Sequence, residues 1–330
     1  MKNRVSGFTL VELMMAMGLL VLLGSLLMVI FRGVMDVWKV ADEQRMFAED
    51  ARNIIECLQE DMEALYHHDL QRGLARLELD FDRYGQQRLR FIRKISQESQ
   101  HILLRNAGAA TVQQGYSHFY SSKNLTSGKY RATGGIGEVV YLFSPFQNSL
   151  EFWRGFRCPP GRSESCWLNS NLLNSIWIKK NCDLLSDSVL LCWFSCWDEN
   201  TIRWTNSSSE WIFESGRKEK LPLKLRVILI MRGEFSPQAV LNKDINIDEI
   251  EWFGITKQQN FPVLPSSCNY YVHVGNEWME FQECTSDRVI GLKRGMFKTK
   301  PVAHKQGTKV EWGTCFSIVI SFPTSIISME

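Results

Sequence analysis

Three groups of residues in this 330-residue chain could do chemistry: a carboxylate beside an apolar run, nine cysteines and six histidines. Glu12 precedes nineteen uncharged residues, Leu13 to Phe31, that are rich in Leu, Met and Val. An ionised carboxylate within an apolar helix costs on the order of 3 kcal/mol to insert, so Glu12 calls for a cationic partner. Cys158 and Cys166 bracket Pro159-Pro160-Gly161, a tight loop that a bridge would close in an oxidising compartment. Cys192 and Cys196 share one face of an expected strand and Trp193 and Trp197 the other, so the two thiols are poorly placed to bridge each other. Cys182, Cys268, Cys284 and Cys315 are further candidates whose pairing spacing alone does not settle. The odd total leaves at least one thiol unbridged in a monomer, assigned here to Cys57 on the N-terminal helix. Buried free thiols and a metal site are the alternatives to disulfides, although no Cys-x-x-Cys pair of the kind zinc prefers occurs.

No catalytic constellation emerges. His67 and His68 are adjacent at an expected helix end, where they can meet the last carbonyls. His101, His118, His273 and His304 lack acidic or Cys neighbours at metal or triad spacing. Gly134-Gly135-Ile136-Gly137 precedes a strand, whereas dinucleotide binding needs glycines after a strand and before a helix. The carboxylates of 244–251 fit no calcium loop and read as a solvated face. Neither a cofactor, a metal nor an enzymatic activity is therefore expected. The balance of 38 Lys+Arg against 36 Asp+Glu gives no basic surface for nucleic acid, and 45% apolar residues exclude a disordered chain.

The elements follow from periodicity. A helix over Leu13–Phe31 rises about 1.5 Å per residue and is long enough to span a bilayer's hydrocarbon layer. Lys2 and Arg4 ahead of it keep the short N-terminus cytoplasmic and send the rest of the chain outward. Val34, Val37, Trp38, Ala41, Ala48, Ile55, Leu58, Met62 and Leu65 then recur at helical intervals, and no Pro interrupts residues 8–72. One helix is expected from about Phe8 to about Tyr66, its second half packed on a globular head. After Gly73 the period becomes two: Leu77, Leu79 and Phe81 alternate with Glu78, Asp80 and Asp82, and a hairpin turns at Tyr84-Gly85. Further strands are expected at Glu138–Phe143, Leu150–Phe156, Ser188–Trp197, Thr201–Thr205, Lys220–Met231 and Thr314–Phe322. A helix followed by mostly antiparallel strands is an α+β order.

The stretch Gly7-Phe8-Thr9-Leu10-Val11-Glu12, after a basic leader and opening into an apolar helix, resembles the processing signature of type IV prepilins and type II secretion pseudopilins. The resemblance implies a pilin-like α+β fold, cleavage between Gly7 and Phe8 by prepilin peptidase, and N-methylation of Phe8. It divides the chain into a leader (1–7), a membrane half (8–31) and an amphipathic half (32–72) of the helix, and a β-rich head (73–330). Glu12 would pair with the cationic amine that cleavage creates on Phe8. That amine is within reach inside one helix, since residues four apart share a face, and the family favours the amine of a neighbouring subunit.

Strand Glu138–Phe143, Leu150-Glu151-Phe152-Trp153-Arg154, Trp197-Asp198, Trp204, Trp211 and Leu221-Pro222-Leu223-Lys224-Leu225-Arg226-Val227 together resemble the J-type minor pseudopilin. The Cys-rich segment 158–196 and residues 232–312 have no counterpart in that pattern, and 232–312 reads as an insertion. The implied protein is a non-enzymatic, single-pass inner-membrane subunit with a periplasmic head. Its implied partners are other pilins or pseudopilins and, for J-type relatives at a filament tip, secreted cargo. The rival reading is a minor type IV pilin whose Trp-rich head is an adhesin or ligand-binding module. Intact-mass analysis of protein from its native membrane should show loss of Met1–Gly7 and a methylated Phe8 terminus; an unprocessed chain beside an active peptidase would refute the motif.

Overall fold

A computed structural model of the chain describes residues 10–66, 77–95, 135–146, 149–157, 165–198, 202–205, 222–232, 238–256, 270–285 and 287–322. Two compact units are formed, Met1–Met46 and Phe47–Glu330. A single helix, α1 (Leu10–Glu63), supplies the described part of the first unit and opens the second. With no internal Pro and long Leu and Met runs, nothing in its sequence breaks it.

In the second unit a sheet of β1 (Leu77–Phe81), β2 (Gln87–Ile95), β3 (Gly135–Phe143), β4 (Phe152–Arg157) and β5 (Cys182–Ser186) runs antiparallel in chain order. The β1–β2 turn forms because Asp82 Oδ1 accepts from the Tyr84 and Gln86 amides at 2.8 and 2.9 Å, while Gly85 takes φ +79°. The carboxylates that alternate along β1 meet arginines on the paired strand: Asp80 binds Arg88 and Arg90, and Glu78 binds Arg90 at 3.1 Å. Two short helices, α2 (Asn169–Leu172) and α3 (Ser175–Asn181), lie between β4 and β5, the second capped by Asn174.

A second sheet contains β6 (Val189–Asp198), β7 (Arg203–Thr205) and β8 (Lys224–Met231). Residues 238–311 then add β9 (Gln238–Val240), β10 (Trp252–Gly254), β11 (Tyr270–Val274), β12 (Glu277–Phe281), β13 (Glu283–Cys284), β14 (Arg288–Ile290), β15 (Lys293–Met296) and β16 (Lys309–Glu311). These form a five-stranded sheet, β15-β12-β11-β16-β9, and a three-stranded one, β10-β14-β13. The last strand, β17 (Thr314–Ser321), returns beside β8 and completes the order β17-β8-β6-β7.

The expected helix-then-sheet order is thus the fold, with both large sheets apolar on two faces. Val139, Tyr141 and Phe143 of β3 face the main core, while Val140 and Leu142 face a smaller core with Cys166, Leu172 and Ile178. On β8, Leu225, Val227 and Leu229 face the main core, whereas Ile228 and Ile230 join Trp193, Tyr271 and Trp278. Sheets covered on both faces need unbroken apolar runs, which is why these strands do not alternate. Residues 239–312 bury a core of their own around Phe253, Val272, Met279 and Val310.

On α1 the spacing Phe47, Ala51, Ile54, Leu58, Met62 makes one buried stripe. Within that stripe sits Asp61, 1% exposed. Arg154 donates to it from β4 through Nε and Nη2 at 2.7 Å each, Tyr141 Oη donates from β3 at 2.6 Å, and Arg93 on β2 pairs with it. Nearby, Tyr141 Oη lies 3.6 Å from Cys57 Sγ. The chain beyond α1 is stitched on by Tyr66 N–H to Ile92 O at 2.8 Å and Lys94 N–H to Ala64 O at 2.6 Å. A buried amide joins the sheets: Gln87 Nε2 donates to Phe194 O at 3.0 Å, and Phe194 N–H donates back to Gln87 Oε1 at 2.6 Å.

Removing one side of a buried ion pair leaves uncompensated charge, at a cost of roughly 3–5 kcal/mol. Asp61→Ala should therefore destabilise the head by about that amount, read as a lowered urea midpoint by Trp fluorescence of the detergent-solubilised chain. A loss under about 1 kcal/mol would mean that the two arginines find water or other partners.

Candidate functional site

Taken by itself, the first unit is a helix without an apolar partner. Leu10, Val21, Leu27 and Val29 are 66–76% exposed, and the other large apolar side chains from Val11 to Val34 are exposed as well. Leu10–Glu63 is the one described helix long and apolar enough to cross a membrane. Apolar side chains all round a helix are stable only in hydrocarbon or among other helices, and an α-helix satisfies its own backbone there. Gly18, Gly24 and Gly33 face open space, and Ser25 Oγ is satisfied by Leu22 O at 2.8 Å. Glu12 falls in the first turn of α1. Gly7 and Phe8, between which cleavage is expected, lie outside the described residues.

The head carries a cavity of about 560 Å³. Its walls come from the turn after β1 (Gln86), β6 (Leu190 to Trp193), the residue after β8 (Arg232), and His273, Trp278 and Glu311 of the third sheet. Three buried polar atoms on those walls have no hydrogen-bond partner among the described residues: Gln86 Oε1, Arg232 Nε and His273 Nδ1. Glu311 Oε2 lies 3.6 Å from His273 Nδ1, beyond hydrogen-bond length. Glu311 itself pairs with Arg232 and, at 2.5 Å, with Lys309. Phe297 closes one side, 5.3 Å from Trp193 and 4.8 Å from Tyr271 between ring centroids. It sits at φ +53° beside Lys298 at +60°, a left-handed pair that costs a bulky side chain backbone strain. Trp193 and Trp278 are both buried, so the cavity has an aromatic wall but is not an open aromatic groove.

His273 and His304 look solitary in sequence, yet each meets a glutamate from another strand. His304 Nε2 lies 2.9 Å from Glu277 Oε2, and Arg294 donates to both oxygens of the same carboxylate at 3.0 and 2.6 Å. Burial alone would raise the Glu277 carboxyl, but Arg294, His304 and the Val302 amide hold it below its ordinary value. Arg294 also donates to the Ile247 and Val302 carbonyls, so this cluster pins a loop and offers no open position for a substrate. Only the contact map, not the spacing, could have revealed these pairs. Two of the four carboxylates of 244–251 are tied to lysines, Asp244 to Lys305 at 2.7 Å and Glu249 to Lys243 at 3.1 Å. Among the described residues no group of three or more His, Cys, Asp and Glu is placed to hold a metal ion.

The thiols divide by environment. Cys57 is half-buried on α1 and its thiol is raised, chiefly by burial. Cys192 and Cys196 point into the main core, away from Trp193. Cys158 lies outside the described residues, while Cys166 is a buried thiol in the small core beneath α2 and α3.

Residues 2–28 match the family model of the prokaryotic N-terminal methylation motif. No curated protein matches the chain. The motif, together with the apolar N-terminal helix, gives the N-terminus the character of a type IV pilin-like precursor, fits a membrane-anchored protein and points to a structural role.

Glu311 makes the head pH-sensitive. Burial would raise its carboxyl, but His273, Lys309 and Arg232 outweigh this and hold it at about 2, against an ordinary 4.5. A depressed carboxylate stabilises the fold above its ordinary value and loses that contribution as pH falls through the folded value. The gap in melting temperature between the wild type and Glu311→Gln should accordingly be widest above pH 5 and close between about pH 4.5 and 2. A gap independent of pH would show that the ion pairs are not formed.

Proposed function

We propose that this chain is a non-enzymatic minor pilin-like subunit, processed after Gly7, anchored by a single span in the inner membrane, with its head in the periplasm. The observation that carries the reading is the conjunction at the N-terminus: a methylation motif over residues 2–28 runs into a helix whose apolar half is exposed among the described residues. A bilayer can cover that surface first, and neighbouring helices of the same kind can cover it after assembly. Lys2 and Arg4 support a cytoplasmic leader. The landmarks around Trp153, Trp197 and Leu221-Pro222 support a J-type pseudopilin acting at the tip of a type II secretion pseudopilus, where secreted cargo would be the further partner.

The second reading, a minor type IV pilin whose head binds a ligand, is favoured by the three polar atoms around the cavity that have no partner among the described residues. Donors and acceptors left unmade in a roomy site suit a polar ligand or ordered water.

Glu12 separates assembly from folding. It lies far in sequence from every head strand, and its proposed partner is the Phe8 amine of a neighbour, a pair that gains strength in a low-dielectric layer. Glu12→Ala is expected to leave cleavage, membrane insertion and head folding intact while weakening co-purification with partner pilins at least several-fold. Undiminished association would show that Glu12 sets no register.

A further inference from the structure

The small core on the outer face of the first sheet contains two thiols from different parts of the chain. Cys182 opens β5 and stands in register with Gly155 of β4. A methyl group placed on Gly155 would lie 2.7 Å from Val140 Cγ1, 2.9 Å from Cys182 Sγ and 3.5 Å from Cys166 Sγ, so both sulfurs crowd the position that a side chain there would take. Cys166 is held there by its own backbone: its N–H donates to Glu138 Oε2 at 2.8 Å, and Ser165 Oγ donates to the same oxygen at 2.7 Å. Glu138 is 1% exposed, so this anchor is fixed within the sheet. The segment between the two cysteines contains α2 and α3, whose Leu172 and Ile178 are buried in the same core.

We infer that Cys166 and Cys182 are the disulfide partners in this head, which closes the α2–α3 segment as a covalent loop. The inference rests on the reading that the head is exported. It differs from the Cys158–Cys166 pairing expected from the Pro-Pro-Gly loop. Bridging proceeds by exchange with an oxidised dithiol. One thiolate attacks the donor's disulfide and expels a donor thiolate. The second cysteine, deprotonated, then attacks the mixed disulfide and expels the other. The two cysteines lose two protons and two electrons, and the donor leaves as a dithiol.

Burial raises both thiols, Cys182 to about 12 and Cys166 further, with Cys182 and Glu138 adding to the rise at Cys166. Few thiolates therefore exist in the folded, reduced head.

Trypsin cleaves after Arg157, Arg162, Lys179 and Lys180, which puts Cys158, Cys166 and Cys182 on separate peptides. The full chain would be alkylated on extraction from native membranes and mapped without reduction, alongside protease digestion of intact spheroplasts. The expected result is a head accessible to protease and a Cys166 peptide linked to the peptide beginning at Asn181, the link being lost in Cys182→Ala. Free thiols at both positions, or a Cys158–Cys166 link, in an accessible head would overturn the inference. A protected head would refute export instead, and refolding the detergent-solubilised chain in reduced and oxidised glutathione would then decide the pairing by the same map. For a loop of this length, reduction of the wild type should lower the folded-to-unfolded ratio by about a hundredfold. Cys182→Ala should show no such sensitivity to reductant.

Discussion

Asp61 is the charge on which the head's architecture turns. It projects from the buried stripe of α1 and is met by Arg154, Arg93 and Tyr141, each on a different strand of the first sheet. An apolar stripe alone would let a helix slide along the sheet with little change in buried area. A carboxylate that must meet a bidentate guanidinium, a second guanidinium and a phenol has one position that satisfies it. The register of the head-proximal part of α1 on the sheet follows from that position.

The physical division of α1 is a division of solvents. Its head-proximal part buries Phe47, Ala51, Ile54, Leu58 and Met62 and leaves charges such as Arg52 and Glu56 paired at 2.7 Å in water. Its N-terminal part exposes apolar side chains without a charged face from Leu13 to Phe31. The backbone is continuous, so one element serves a water-soluble core and an apolar medium without a loop between them. That arrangement fits a membrane-anchored protein.

Much of this was legible in the sequence because it is local. Period 3.6 without Pro gave α1, and period two around Tyr84-Gly85 gave the β1–β2 hairpin. What could not be read depends on contacts distant in the chain: Arg154 reaches Asp61 across 93 residues, and Glu277 reaches His304 across 27. The runs at β3 and β8 mark buried strands, but not that each faces two cores. The helices α2 and α3 show no sequence signal because they are short and lie in a segment rich in Asn and Ser. The spacing of Cys158 and Cys166 suggests a local pair, on which the described residues are silent because Cys158 lies outside them; that Cys182 and Cys166 both border Gly155 is a contact that spacing does not show.

The most direct measurement is photo-crosslinking from a single reactive residue at position Leu20, deep in the exposed apolar half of α1, in intact membranes of the native host. Adducts with the N-terminal helices of other pilin-like subunits, lost when assembly is blocked, are expected. Adducts with lipid alone under conditions in which the other subunits assemble would contradict the assignment of this helix to a filament.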